Sequence, residues 1–541
     1  MLHVTVPQIP GARVRSRRGG DAWHVSVRGL ATLQRLAVVS IGSAALLELE
    51  LEVASWKPPI EGWLGSPGLS GLSIVEIEPG SGGVRVRFAC DEPIDASLLL
   101  SAAVRTLRPV PAGERASQLT FAPGLTVDAA PLGGALHDVL VEGETRDRHV
   151  RRCDILVVAS DDVATDIERS STLVIGRDRW VRDGMSFEVC VDPTVHRPVG
   201  RRSTSTGTVA RCTVSDGRLK ISTDGTDVSV ENDVTAANVR ALRTTTAVVC
   251  DVAVPPRIAR QLAACGLIIT DQAAELPEAG DTLAWQAWSV ADRRHALRQY
   301  GPTPALGSWP SVSVVLCTNR PDHLEQALRQ VAGLRYPDLE IIIGAHGPAV
   351  DPARVWDLSQ DVPHPVTVVA VDAGRTLGEA LQACSDRAAG TLITKMDDDD
   401  VYGPEHVWDL VLARQYSGAQ IVGKALDWIH LESEDATVFR PVFAAEKYAD
   451  FVAGGTMLIS RGDLMAVGGW RPVPKSVDRA LLDRVLAQGG LVYRTHGLGY
   501  VYARHSAGHT ATVSDEHFLT RIEGRVPGLI AHESFGTAVA T

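Results

Sequence analysis

Four consecutive carboxylates, Asp397 to Asp400, bear most directly on what chemistry this chain can perform. Held together without a partner they repel one another and resist burial, so they either spread into water on a turn or share a cation. Oxygen-only ligands suit Mg2+ or Mn2+, ions that keep coordination positions open for phosphate oxygens. The preceding residues favour the cation. Thr391 to Met396 is mostly apolar with β-branched content, which predicts a short buried strand ending at the acidic run. Ligands of open α/β sheets gather at such strand ends.

The elements that must position this run lie upstream. Ser311 to Cys317 reads as a buried strand, Thr318-Asn319-Arg320-Pro321 as a turn, and Asp322 to Val331 as a helix with Pro and Asp at its start. Leu339 to Ile343 and Val366 to Val371 are further strands, and Leu377 to Ala389 is a helix with small residues on one side. Strands and helices in alternation with short connections predict a parallel, doubly wound sheet, with the aspartates at a strand's carboxyl end.

These residues carry a resemblance. SVVLCTNRPDHLEQAL, GRTLGEALQACSDRAAGTLITKMDDDD, FVAGGTMLISRGDLMAVGGW and VDRALLDRVLAQGGLVY, in that order, resemble a family 2 glycosyltransferase of the GT-A fold over about residues 311–510. The resemblance implies a nucleoside-diphosphate sugar donor, Mn2+ or Mg2+ as cofactor, and a hydroxyl-bearing glycan, lipid or small-molecule acceptor. It places Thr318, Asn319 and Arg320 in the loop lining the nucleotide pocket, and the segment Gly374 to Gly378 near the sugar nucleotide. Asp397 and Asp399 match the DxD pair, the first facing the nucleotide and the second the metal. Asp398 stands beside them on the nucleotide side, and Asp400 is a second metal candidate. Gly454, Gly455 and Thr456 match the glycine-rich stretch beside the acceptor. Asp478 matches the catalytic base; on the residues alone it could equally be a helix cap. His505 and His509 compete for the late histidine that relatives offer to the metal or diphosphate. Two departures stand out: His346 occupies a place where relatives carry acidic residues that read the base, and Val477 replaces the usual Glu before Asp478.

Two other classes share the physics. A nucleotidyltransferase also joins a nucleotide, carboxylates and Mg2+ on an α/β sheet, but it would carry a glycine-rich loop with a basic residue near its first strand, and Cys317 to Pro321 matches that poorly. A binding module without catalysis is the other.

At 541 residues the chain exceeds one core, and roughly 100 to 200 residues per domain predicts three or four. Residues 1–120 alternate short β runs with Gly and Pro breaks, predicting a sandwich or small barrel. Residues 121–300 read as a Rossmann-like α/β domain with a β insertion near 201–233; 301–310 is a linker, 311–510 the GT-A domain and 511–541 a tail. His196 and Arg197 sit between two Pro breaks, read as a structural turn over a ligand loop. The overall fold class is α/β.

A net charge of −12 argues against a nucleic-acid partner bound through a broad basic surface. The eight cysteines are scattered without CxxC or zinc spacing, which predicts reduced thiols and a cytoplasmic location. Leu36 to Leu47 is apolar but about 12 residues long, against roughly 20 for a membrane span. No transmembrane segment is expected, and peripheral association with the inner face of the membrane stays open.

Overall fold

The structure is a computed structural model. It describes residues 309–505 and 514–537 throughout, most of 9–109 and 184–307, and between 110 and 183 only strand segments. The chain divides into two compact units, one formed by most of residues 1–309 and the other by residues 310–541 with the segment Gly29–Val39.

In the first unit, the strands Ala12–Ser16, Ala22–Val27, Ala45–Val53, Leu72–Pro79 and Val84–Asp95 form one five-stranded sheet. The alternation Glu48-Leu-Glu-Leu-Glu52 does give a strand with one face buried and one partly exposed. Its cover differs from expectation: among the described residues it is an open sheet rather than a barrel, and the helix Ala96–Thr106, buried along its whole length, packs on it. A second five-stranded sheet joins the antiparallel ribbon Thr208–Ser215, Arg218–Thr223 and Thr226–Val230 to the parallel strands Thr245–Cys250 and Ile268–Thr270. The ribbon read as an insertion therefore continues the sheet, and Cys212, Ile221, Val248 and Leu262 share its core. The turn around His196 is structural: Nε2 of this buried ring bonds the Val234 carbonyl at 2.8 Å, Nδ1 accepts from the Asp192 amide, and burial lowers its pKa.

The second unit is built on an eight-stranded sheet. Val366–Val371, Leu339–His346, Val312–Thr318 and Leu392–Met396 lie side by side and parallel, in that order. Both faces of the central strands are covered, which is why they read as unbroken apolar runs. Beyond them the sheet ceases to be purely parallel: Leu458–Ser460 runs antiparallel to Leu392–Met396 and Ile421–Lys424, and Val492–Thr495 and Lys447–Tyr448 complete the order. The helices Leu377–Ser385 and Val477–Ala487 share one core with this sheet through Val315, Ile342, Leu381, Ile393, Leu481 and Val485. Thr376 and Glu379 form a capping box that fixes where the first of these helices begins. A smaller sheet carries Val401–Tyr402 and Tyr500–Arg504.

The seven described cysteines are free thiols, and Cys317 and Cys384 bring their sulfurs to 3.6 Å. Among the described residues no helix is long and apolar enough to cross a membrane.

Candidate active site

Three parallel strands end together in the second unit, delivering Thr318, His346 and the Asp397–Asp400 run to one edge of the sheet. The four aspartates do not point one way. Lys395 Nζ lies 2.7 Å from Asp397 Oδ1 and 3.0 Å from Oδ2. Asp398 accepts from the Thr318 hydroxyl and pairs with Arg320. Asp399 Oδ2 is 2.9 Å from Arg320 Nη1. Asp400 accepts from Tyr500 Oη at 2.7 Å and the Ala503 amide at 3.0 Å. Each carboxylate thus meets a donor, with Arg320 shared between Asp398 and Asp399, which is how a compact fold holds four aspartates in a row.

The electrostatics follow from this partition. Burial pushes Asp397 up to about 6 against the pull of Lys395. Burial raises Asp400 well above the usual carboxylate range, with Asp397 and Asp399 adding to the effect. For both cations burial works against the charge and the neighbouring carboxylates outweigh it: Asp398 and Asp399 raise Arg320, and Asp397 and Asp478 raise Lys395.

Asp478 reaches the same place from the far end of the sequence. The helix Val477–Ala487 starts from Ser476, whose left-handed backbone (φ 59°) turns the chain sharply and whose side chain makes no cap. Two residues on, within the first turn, Asp478 Oδ1 stands 3.2 Å from Lys395 Nζ. Its carboxylate faces Lys395 rather than the amides of its own helix.

The glycine turn explains itself at this point. A Cβ on Gly454 would fall 2.3 Å from Asp478 Oδ2, and one on Gly455 would fall 2.7 Å from both Asp397 Oδ2 and Tyr402 Oη. The turn lies flat against the carboxylates because neither residue has a side chain. Tyr402 ties it down, donating to the Gly455 carbonyl and accepting from the Asp397 amide. Thr456 is fully buried, its hydroxyl spent on the Ala453 carbonyl and the Lys424 amide.

Other expected residues are placed as follows. Asn319 is exposed and Arg320 half-buried beside the acidic run. His346 Nε2 is 2.9 Å from the Arg375 carbonyl, which joins the second strand's end to the loop containing the exposed Gly374. Gly378 is buried against the 471–473 backbone: its amide bonds the Val473 carbonyl, and a Cβ would fall 1.7 Å from the Arg471 oxygen. Packing accounts for that glycine. His505 stacks edge-on against His323 at 5.2 Å and lies 3.8 Å from Glu432. His509 is outside the described residues.

Sequence reasoning missed Lys395, Tyr402 and Tyr500. A signal existed for the first: Lys395 is a charge inside an otherwise apolar strand, two residues before the acidic run.

Hard divalent cations fit the donor chemistry here, since four carboxylates face two cationic side chains. Among the described residues no three acidic, His or Cys side chains converge on one point suited to an ion. Asp399, one oxygen of which is held by Arg320, would supply one ligand, leaving the remaining positions to diphosphate oxygens and water.

Residues 313–449 match the family model described as Glycosyl transferase family 2. No curated protein matches the chain. Similar solved structures include residues 1–349 of TarS from S. aureus in complex with UDP-GlcNAc, 14% identical over 38% of this chain and 63% of that one, TM-score 0.31. Another is the mannosyltransferase PcManGT from Pyrobaculum calidifontis in complex with GDP-Man and Mn2+, 16% identical over 37% of this chain and 59% of that one, TM-score 0.30. The chain therefore spans about three fifths of the length of these two relatives.

Proposed function

We propose, from a second unit that carries the family 2 glycosyltransferase pattern, that this protein transfers a sugar from a nucleoside diphosphate to an acceptor hydroxyl with inversion at the anomeric carbon. The observation that carries the reading is the meeting of Asp397 and Asp478, 81 positions apart in sequence, around one ammonium at the carboxyl ends of the parallel strands. A base and a nucleotide-side carboxylate must face the same bound sugar for a single displacement, and the closeness of Asp397 and Asp478 supports reading them as that pair.

In the mechanism, Asp478 accepts the proton of the acceptor hydroxyl as its oxygen attacks the anomeric carbon. The bond from that carbon to the diphosphate oxygen breaks as the new one forms, so one displacement inverts the centre. Asp397 faces the nucleotide, and Arg320, already gripping Asp398 and Asp399, keeps the acidic turn in its shape. Asp399, with Asp397 nearby, would hold Mn2+ or Mg2+, and the ion would supply positive charge to stabilise the departing diphosphate. His346, bonded to the loop at Gly374 through the Arg375 carbonyl, would face the base. The acceptor, a glycan, lipid or small molecule, would enter over Gly454 and Gly455.

Incubating the full chain with a panel of nucleoside-diphosphate sugars and Mn2+ tests this. Free nucleoside diphosphate, absent with Asp399→Asn and Asp478→Asn, is the expected result. With pyrophosphate added, nucleoside triphosphate and sugar 1-phosphate would instead indicate nucleotidyl transfer, and no product under either condition would leave a binding module.

A further inference from the structure

Lys395 is 3% exposed, on a strand whose five residues are all buried. Long charged side chains are placed so rarely in a sheet core because the ammonium loses its water, and only close opposite charge makes the placement tolerable. An apolar residue would have satisfied the strand. The ammonium instead lies 2.7 Å from Asp397 and 3.2 Å from Asp478, which come from different elements and would otherwise repel each other.

The glycine turn closes each carboxylate as well. Asp478 has Oδ1 toward the ammonium and Oδ2 against Gly454, while both oxygens of Asp397 face the ammonium and its Oδ2 also lies against Gly455. Tyr402 bonds both the Asp397 amide and the Gly455 carbonyl, so the wall and the acidic turn move as one. What stays open is an edge of each carboxylate: their side chains are 34% and 28% exposed. Lys395 itself is too deep to touch a donor or an acceptor.

We infer that Lys395 is a positioning residue: its buried ammonium, with the Gly454–Gly455 wall opposite, fixes the Asp478 carboxylate beside Asp397, so the proton acceptor is aimed before any ligand binds. The inference rests on the glycosyl-transfer reading for the role of Asp478, and on geometry alone for the clamp. It predicts that the charge at position 395 acts through Asp478, whereas a charge needed only for folding would act through stability.

Lys395→Met, near in shape and without charge, tests it in the full chain, with Lys395→Arg restoring the charge. With a sugar nucleotide that the wild type cleaves, kcat should fall about 100-fold, the loss expected for a misaimed group, while KM for the donor stays within about threefold. Titration of Mn2+ with UDP or GDP should give affinities within about threefold of wild type. In the Asp478→Asn background the same change should cost less than about threefold further, because two residues of one device are not additive. Lys395→Arg should recover part of kcat. Multiplying losses, or a Lys395→Met enzyme within threefold of wild type, would overturn the inference.

Crystal structures give a readout that needs no turnover. In Lys395→Met the Asp478 carboxylate should leave Gly454; a carboxylate that stays there overturns the clamp. If Lys395→Met fails to fold, Lys395→Gln carries the same comparison. A wild type that cleaves no donor would refute the glycosyl-transfer reading, with the clamp still decided by the crystal structures.

Discussion

Gly454 and Asp478 touch so closely that a single added carbon on the glycine would fall 2.3 Å from the carboxylate's Oδ2. The glycine is thus part of the carboxylate's rotamer, since no other side chain leaves Oδ2 in that position.

The consequence is a mutation whose costs to folding and to activity separate. In Gly454→Ala the closest clashes are with Asp478 Oδ2 and Cγ, which a rotation of that side chain relieves, while its Cβ at 3.1 Å needs only a small shift, so Asp478 swings aside and the backbone moves little. Stability should change by less than about 1 kcal/mol. Transfer should fall about 100-fold, as for a displaced catalytic group. Thermal unfolding beside steady-state kinetics checks both; equal activity in Gly454→Ala would remove Asp478 from the chemistry.

The aspartate run should divide in the same experiment. Asp400, buried and bonded to Tyr500 and Ala503, belongs to the framework. Removing it in Asp400→Ala leaves a buried hydroxyl and amide without an acceptor, a loss of about 2–4 kcal/mol. Asp399 is at the open edge with one oxygen on Arg320. Asp399→Ala should leave stability within about 1 kcal/mol while Mn2+ affinity in the presence of nucleotide falls at least about tenfold. Denaturant unfolding and isothermal titration together decide it. A stable Asp400→Ala protein that has lost Mn2+ would make Asp400 the ligand.

Much of the second unit was legible because its central strands are buried on both faces. Val312–Thr318 and Leu392–Met396 announce themselves as apolar runs whatever surrounds them, and the strand boundaries fall within a residue or so of those read from sequence. The strands Ile421–Lys424 and Leu458–Ser460 were not legible; at three or four residues they carry no period, and only pairing across the sheet makes them strands. Lys395 was visible as an odd residue, yet the role inferred for it depends on a helix that begins 82 positions later in the chain, which no local pattern reveals. The cover of the N-terminal sheet was misread because alternation along Ala45–Val53 says that one face is buried, not what buries it.

Gly378 illustrates a resemblance assigning a glycine to a ligand where packing already requires it. Its missing Cβ would fall 1.7 Å from the Arg471 carbonyl oxygen, a backbone atom that cannot step aside as a carboxylate can. Gly378→Ala should therefore destabilise the protein by about 1–3 kcal/mol, the cost of overpacking. At temperatures where the variant remains folded, KM for the donor should be unchanged. A variant of wild-type stability with a raised donor KM would return Gly378 to the nucleotide pocket.

Asp427 contributes its own pH dependence to stability. It is buried, with Oδ1 lacking a hydrogen-bond partner, and burial pushes its carboxyl up to about 7 against the pull of Arg494. The folded pKa lies above the ordinary carboxyl value near 3.8. Between about pH 4 and 7 the folded chain therefore keeps a proton that the unfolded chain has released. Stability from this group is fully present below that window, falls as pH rises through it, and is flat above. Asp427→Asn keeps an acceptor for the Gly497 amide and has no proton to lose. Calorimetric unfolding at pH 5 and pH 8 should show the variant gaining on wild type with rising pH, by on the order of 2–4 kcal/mol. A constant difference between the two proteins across that range would mean that Asp427 is charged in the folded chain, with Arg494 outweighing its burial.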